Sequence, residues 1–391
     1  MHQRPIGDAG TRYRPEIELL LCCARTDVRA SEAERVRALV GHEMDWSQLI
    51  KSARHHGVMP LLHQNLERIC ADRLPNRLLA VLRHQCGENA QRNLSLFTEL
   101  ISVLDLLQAH GIQAITFKGP TLAVLAYGDL SRRTFEDLDI LIHPRDLQLT
   151  QEALTSHGYE LRRELNWQMD FGNPDNDVNI DLHHKLTPPE FPVPFRFDSL
   201  WTRVNELPIN GSTVSTLSSE DLLLILCVHI TKDVWRSHTY EWGSRLLKLK
   251  QACDVAELLR SHQNMDFELV FREARELGAE RMLIFGLCFA SNLLGVALKD
   301  EVTQKVQTAP RLSVLAAEAG VELLHGTGDD RHPSLFSGAR FHSQVRERGR
   351  DKVFVYYMLC RGYLAHQIHL FKKHSTRFLK YLQSQIAAST R

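Results

Sequence analysis

The sequence predicts an α+β fold: a small mixed β-sheet with one helix-covered face, flanked by N-terminal and C-terminal helical regions. Three observations predict it. Residues 115–142, ITFKGPTLAVLAYGDLSRRTFEDLDILI, read as a strand, a turn with Lys118 and Gly119, a helix and a second strand. Residues 177–184, DVNIDLHH, repeat the design of that second strand, alternating Val178, Ile180 and Leu182 with Asp177, Asn179, Asp181 and His183. On both sides of this block, apolar residues recur at helical spacing.

Length and composition bound the rest. A chain of 391 residues exceeds what a single core normally serves, so it divides into subdomains. We expect a mobile start over 1–14, a helical region over 15–110, the sheet-bearing core over 111–217 and a helical domain over 218–391. The 47 basic residues equal the 47 acidic ones, which removes any overall attraction to nucleic acid or membrane. Beyond residue 340 the balance tips, because Glu347 and Asp351 are the only acids there. Cys22, Cys23, Cys70, Cys86, Cys227, Cys253, Cys288 and Cys360 show no CxxC spacing and sit in apolar patterns. They read as buried thiols of a reducing cytoplasm. The start of the chain lacks the apolar stretch of a signal peptide, and the apolar run at 222–230 is too short to span a bilayer, so the expected location is cytoplasmic.

In chain order, 15–26 has helical periodicity, and Ser31 with Glu34 has capping-box spacing for the next helix. Asp45 caps a helix through Trp46, Leu49 and Ile50, Pro60-Leu61-Leu62 opens another, and 78–107 carries two longer periodic segments. His55 and His56 are adjacent on a helix and point about 100° apart, so they read as structural. Gly111 ends the helical region, and 112–117 forms a short strand leading to Lys118. Gly119 permits close backbone approach, and the helix starting near Pro120 aims its free amides at an anion. Lys118 adds a mobile charge there. Arg133 precedes Asp137 by four residues, and its fork of donors suits a phosphate or the orientation of carboxylates. Pro144 begins a helix that Gly158 ends. Strands are expected at 159–165, 178–183 and 214–217, with a turn at 171–176 and an extended connection at 188–194. Ser218 and Asp221 mark a helix start, and 222–228 is apolar on nearly all sides. Helices follow over 267–324, then a loop over 326–338 and a helix over 353–382. Lys372, Lys373, Arg377 and Lys380, interleaved with Tyr357, Phe371, Phe378 and Tyr381, read as a solvated helix face.

Asp137 and Asp139 share one strand face about 7 Å apart. Such close carboxylates repel and raise each other's pKa unless a cation lies between them, so the pair calls for a metal. Asp181 is the third ligand by the same alternation, while Glu136 points to the opposite face and is excluded. Oxygen ligands of this kind suit magnesium or manganese, which reach substrate phosphates directly.

At this point the sequence resembles the small-molecule and uncharacterised nucleotidyltransferases of the DNA polymerase beta-like superfamily. The resemblance lies in Lys118-Gly119, Tyr127-Gly128-Asp129, Arg133, Asp137-Leu138-Asp139, Gly158-Tyr159 and Asp181-Leu182-His183. It covers 112–184 closely and extends weakly into 46–62 and 229–254. Gly119-Pro120 replaces the usual Gly-Ser or Gly-Gly turn, as in a branch of the superfamily that carries Lys-Gly, so the hydroxyl that would touch the triphosphate is missing. The resemblance implies transfer of a nucleoside monophosphate from an NTP, ATP by default, to a hydroxyl or similar nucleophile, with release of pyrophosphate. It implies two magnesium or manganese ions on Asp137, Asp139 and Asp181. Lys118, Gly119, Arg133 and Lys232 would attend the phosphates, and His229, Lys232, Trp242, Arg245 and Asp254 would line the cleft that the helical domain closes. The acceptor, a small molecule, peptide or protein rather than a nucleic acid or membrane, is not legible. Two rival readings are metal-dependent phosphate hydrolysis with His183 joining the acids, and a non-catalytic scaffold that binds nucleotide or a partner.

Overall fold

The computed structural model describes residues 13–176, 178–239, 247–325, 335–349, 352–353 and 357. Its first helices are α1 (Pro15–Cys23), α2 (Ala30–Val40), α3 (Trp46–His56) and α4 (Met59–Cys70). Asp45 caps α3 as its position implies, accepting the Gln48 N–H at 2.9 Å. The box that opens α2 is displaced from the expected Ser31 and Glu34. Glu32 instead turns back to the Arg29 N–H at 2.9 Å, because α2 already starts at Ala30.

Residues 78–107 do not divide in two. They lie in one 34-residue helix, α5 (Asn76–Ala109), about 50 Å long at 1.5 Å per residue. Gly87 is the natural break point, but a helical glycine costs only about 1 kcal/mol, and α5 is held by packing at both ends. Its first turns send Leu78, Leu79 and Leu82 into the larger, helical core. Its later turns send Leu96, Leu100, Val103 and Leu107 onto the sheet.

The sheet contains β1 (Ala114–Thr116), β2 (Asp137–Ile142), β3 (Glu160–Glu164), β4 (Gln168–Asn173), β5 (Val178–His183), β6 (Asn205–Ile209) and β7 (Ser212–Thr216). Its order is β3-β4-β5-β2-β1-β7-β6. It is mixed: β2 runs parallel to β5 and β1 to β7, while the remaining neighbours are antiparallel. Two strands were not expected. β4 takes up the first part of the 171–176 turn, since Gln168 and Asp170 alternate with Met169 and Phe171. β6 pairs with β7 through a tight hairpin in which Asn210 and Gly211 take positive φ. Pro208 is tolerated in β6 because that strand lies at the sheet edge.

Between the strands run α6 (Gly119–Tyr127), α7 (Leu147–Ser156) and α8 (Phe197–Trp201). α5 and α7 cover the apolar face: Leu138, Ile140 and Ile142 of β2 and Ile180 and Leu182 of β5 pack with the leucines of α5 and with Leu154. The opposite, acidic face is not bare. Leu141 and Phe117 join the larger core there, together with α9 (Ser219–Thr239), which begins where Ser218 Oγ accepts the Asp221 N–H at 3.1 Å. The chain continues through α10 (Leu249–Ser261), α11 (Phe267–Leu277), α12 (Glu280–Leu294), α13 (Asp300–Gln307), α14 (Pro310–His325) and α15 (Leu335–Val345). α15 thus occupies the end of the expected 326–338 loop. The basic set Lys372, Lys373, Arg377 and Lys380 lies outside the described residues, as do Asp177, Trp242, Arg245 and Cys360.

Cys23, Cys70, Cys227, Cys253 and Cys288 are buried free thiols, and Cys22 and Cys86 are half-buried. Among the described residues no helix is long and apolar enough to cross a membrane.

Candidate active site

The turn between β1 and α6 is built around Gly119. Its φ is +51°, and a Cβ there would meet the Asp137 carbonyl oxygen at 3.2 Å. Both facts favour glycine, and the close approach presses the turn against the start of β2. Pro120 occupies the first turn of α6. Thr121 is buried and donates its hydroxyl to the Lys118 carbonyl at 2.8 Å, so it does not replace the hydroxyl missing from the Gly-Pro turn.

Strand register then gathers the acids. β2 and β5 place Asp139 opposite Asp181 and Asp137 opposite Asn179. On the other side of β5, β4 places Asp170 opposite Asp181. Paired residues on neighbouring strands share a face, so Asp139, Asp181 and Asp170 form a row across three strands. Asp139 is buried, and its Oδ1 meets two groups: Lys118 Nζ at 3.3 Å and His183 Nε2 at 3.1 Å. Asp139, Asp181 and His183 bring one donor atom each within 4.8 Å of one another. Asp137 lies outside that group of three, and Glu136 is exposed.

The electrostatics follow from this crowding. Burial, then Asp139, Asp137 and Asp170, push the Asp181 carboxyl up to about 7. Burial and then Asp139 also raise Asp137. Burial opposes the charge on Asp139 too, but Lys118 and the His183 hydrogen bond outweigh it and hold that carboxyl below the ordinary range. Lys118 answers in kind: burial disfavours its charge, yet Asp139, Asp137 and Asp233 raise its pKa. Arg163 pairs with Asp170 at 2.5 Å and Lys118 with Asp139 at 3.3 Å, which leaves Asp181 as the acid of the row with no ion pair of its own among the described residues. The carboxylate oxygens of the row fit a hard divalent cation, and the nearby imidazole adds a donor that manganese accepts.

Other expected site residues are placed differently. Arg133 does not face an open phosphate position. Its Nε and Nη2 donate to Asp254 at 2.7 and 2.9 Å, and both side chains are buried. Tyr127 adds its hydroxyl to the same carboxylate at 2.7 Å, so Asp254 is likewise engaged. Asn93 of α5 donates to the Leu130 and Arg133 carbonyls at 2.6 and 2.8 Å. Arg133 thus fixes the segment leading into β2, an indirect form of the orienting role. His229 is a buried core histidine, its Nε2 2.9 Å from the Leu186 carbonyl oxygen. Lys232 lies 3.4 Å from Asp233, and burial lowers its pKa, with Asp233 opposing. His56 has a ring nitrogen 3.4 Å from the Leu249 N–H, a structural contact.

Sequence reasoning missed Asp170, Gln168 and Lys250. Gln168 Nε2 donates to Asp170 Oδ1 at 2.6 Å and to Asp181 Oδ2 at 3.3 Å, tying the row together. The alternation of Gln168 and Asp170 with apolar neighbours was the available signal. Lys250 reaches the Thr134 carbonyl at 3.5 Å from α10, a contact that no local pattern announces.

A family match identifies this α+β chain as an enzyme of the nucleotidyltransferase class. The family described as uncharacterised nucleotidyltransferase matches residues 42–295, and the chain belongs to that family. No curated protein matches it. Among solved structures, the lincosamide antibiotic adenylyltransferase LnuA with lincomycin bound is 19% identical, covering 41% of this chain and 94% of its own, with a TM-score of 0.30. ANT(2'')-Ia in complex with adenylyl-2''-tobramycin is 12% identical, with coverages of 46% and 95% and a TM-score of 0.32. An antigenic nucleotidyltransferase-like protein from Paracoccidioides brasiliensis is 20% identical, with coverages of 59% and 97% and a TM-score of 0.31.

Proposed function

We propose that this chain transfers a nucleoside monophosphate from an NTP, with ATP as the first candidate, to a hydroxyl or similar nucleophile of an acceptor, releasing pyrophosphate. The observation that carries the reading is the pairing of Asp139 with Asp181 beside the Lys118-Gly119 turn. The acceptor oxygen bonds to the α-phosphorus as the bond from that phosphorus to the bridging oxygen breaks, and pyrophosphate leaves with the electron pair. Asp181 takes the acceptor's proton on the oxygen that Gln168 leaves free. Asp137, Asp139 and Asp181 would hold magnesium or manganese, which would supply positive charge beside the phosphates and the nucleophile. Gly119 lets the backbone close on the triphosphate, and Lys118 and Lys232 offset its charge. His183 holds Asp139 in place from the side of β5.

Titration calorimetry with non-hydrolysable ATP, GTP, CTP and UTP analogues tests this, with and without magnesium. Binding should require the metal and vanish in the Asp137→Asn/Asp139→Asn double variant. Asp139→Asn alone should abolish turnover while circular dichroism stays unchanged. Full turnover in that variant would remove the mechanism. The position of His183 beside both acids favours one second reading, metal-dependent phosphate hydrolysis with water as nucleophile. Its product is orthophosphate, whereas nucleotidyl transfer gives pyrophosphate.

A further inference from the structure

The Asp139 carboxylate is already occupied by protein. Its Oδ1 holds the Lys118 ammonium at 3.3 Å and the His183 imidazole at 3.1 Å. A divalent cation joining Asp139 to Asp181 needs the same carboxylate, and an ammonium this close repels it. Lys118 therefore competes with a bare metal ion. It is also the movable partner, its side chain 24% exposed against 7% for Asp139. Its backbone is held by the Thr121 hydroxyl bond and by Gly119 packed on β2, so the motion belongs to the side chain alone. When it leaves Asp139 it does not lose all opposite charge, since Asp233 of α9 also acts on it.

We propose that Lys118 is a stand-in cation: it neutralises Asp139 until a metal-bound triphosphate arrives, then yields the carboxylate to the metal and turns to the phosphates. Metal and nucleotide consequently bind together, and each binds poorly alone. This rests on the nucleotidyl-transfer reading above and adds an order of events to it. A phosphate-binding lysine that never paired with Asp139 would lower nucleotide affinity when removed and leave the affinity for free metal near the wild-type value.

The test is calorimetric titration of the full chain with Mn2+, with and without a non-hydrolysable ATP analogue, for wild type, Lys118→Met and Lys118→Gln. Without nucleotide, both variants should bind Mn2+ about tenfold more tightly than wild type, having lost one nearby positive charge. With Mn2+ present, both should bind the analogue about tenfold less tightly, having lost a charged phosphate partner. Lys118→Gln maintains the comparison if Lys118→Met does not fold, as thermal melting will show. Lys118→Arg retains the charge and should keep free-metal affinity near the wild-type value. If Mn2+ affinity does not rise in the neutral variants while wild type still binds metal and nucleotide, the stand-in role is overturned and the nucleotidyl reading survives. If neither wild type nor any variant binds the metal-nucleotide pair, both fall.

Discussion

Two buried charge clusters flank the segment that leads into β2, and they follow opposite rules. In the first, Arg133 and Asp254 pair through two hydrogen bonds, Tyr127 adds a third to the same carboxylate, and Asn93 holds the neighbouring carbonyls. One positive charge meets one negative charge, and the donors converge on it. In the second, Asp137, Asp139 and Asp181 crowd together with Lys118 as the closest cation, and Asp181 is pushed up to about 7 in consequence. The first arrangement is complete without a ligand. In the second, burial and the neighbouring acids raise the pKa of Asp137 and Asp181, which favours a proton or a cation there. Burial of charge alone therefore does not mark a site in this molecule; the excess of one sign does.

The sharpest way to break the comparison is to remove one acid from each cluster. Asp254→Ala leaves the Arg133 guanidinium buried without its partner, and such a loss costs about 3–5 kcal/mol. Asp181→Ala removes a repelled carboxylate and should leave metal-free stability unchanged or raise it. Urea unfolding at neutral pH measures both. Equal losses would mean that the two clusters do not differ as described.

A smaller effect comes from the support of the complete cluster. Asn93 is fully buried and donates to two carbonyls from a helix that also belongs to both cores. Asn93→Leu keeps much of the shape and leaves those carbonyls without that donor, a loss of about 1–3 kcal/mol. The fall should appear in the midpoint of denaturation with the slope unchanged. A change below about 0.5 kcal/mol would show that other donors satisfy the carbonyls and that Asn93 does not hold this segment.

The two clusters were unequally legible in the sequence. The acids on β2 and β5 could be read because strand alternation is a local rule, and the Lys118-Gly119 turn could be read because glycine and proline constrain the backbone locally. Which residue each acid opposes is a matter of register, and here it brought in Asp170 from a strand disguised by the Gly, Asn and Pro that follow it. The Arg133 fork suits a phosphate or the orientation of carboxylates, and nothing within a few residues reveals Asp254, which is 121 positions away in the chain. The break expected within 78–107 failed for a similar reason. Leu78 and Leu107 pack into different cores, and continuity of the helix between them is imposed by tertiary packing that periodicity does not encode. The helix start at Ser218 and the cap at Asp45 succeeded because a cap is a contact between neighbours.

The finest distinction between the clusters is their response to pH. Asp181 titrates near 7 in the folded chain, against about 3.9 in an unfolded one. Between these values the folded state holds a proton that the unfolded state has released. Its contribution to stability is therefore complete below about pH 4 and is lost as pH rises through about 7. Buried histidines act in the opposite sense: burial lowers His56 to about 4 and His342 to about 3, and their contribution is lost as pH falls from the ordinary histidine range toward those values. The total curve mixes both signs, so the informative quantity is wild-type stability minus that of Asp181→Asn in metal-free buffer. That difference should decline from pH 5 to pH 8 and then level off. Saturating Mn2+ should reverse the trend, because a metal ligand must be deprotonated and binding then releases the proton. A difference that stays flat with pH would mean that Asp181 is ionised throughout and that the acidic row is already neutralised by the chain's own cations.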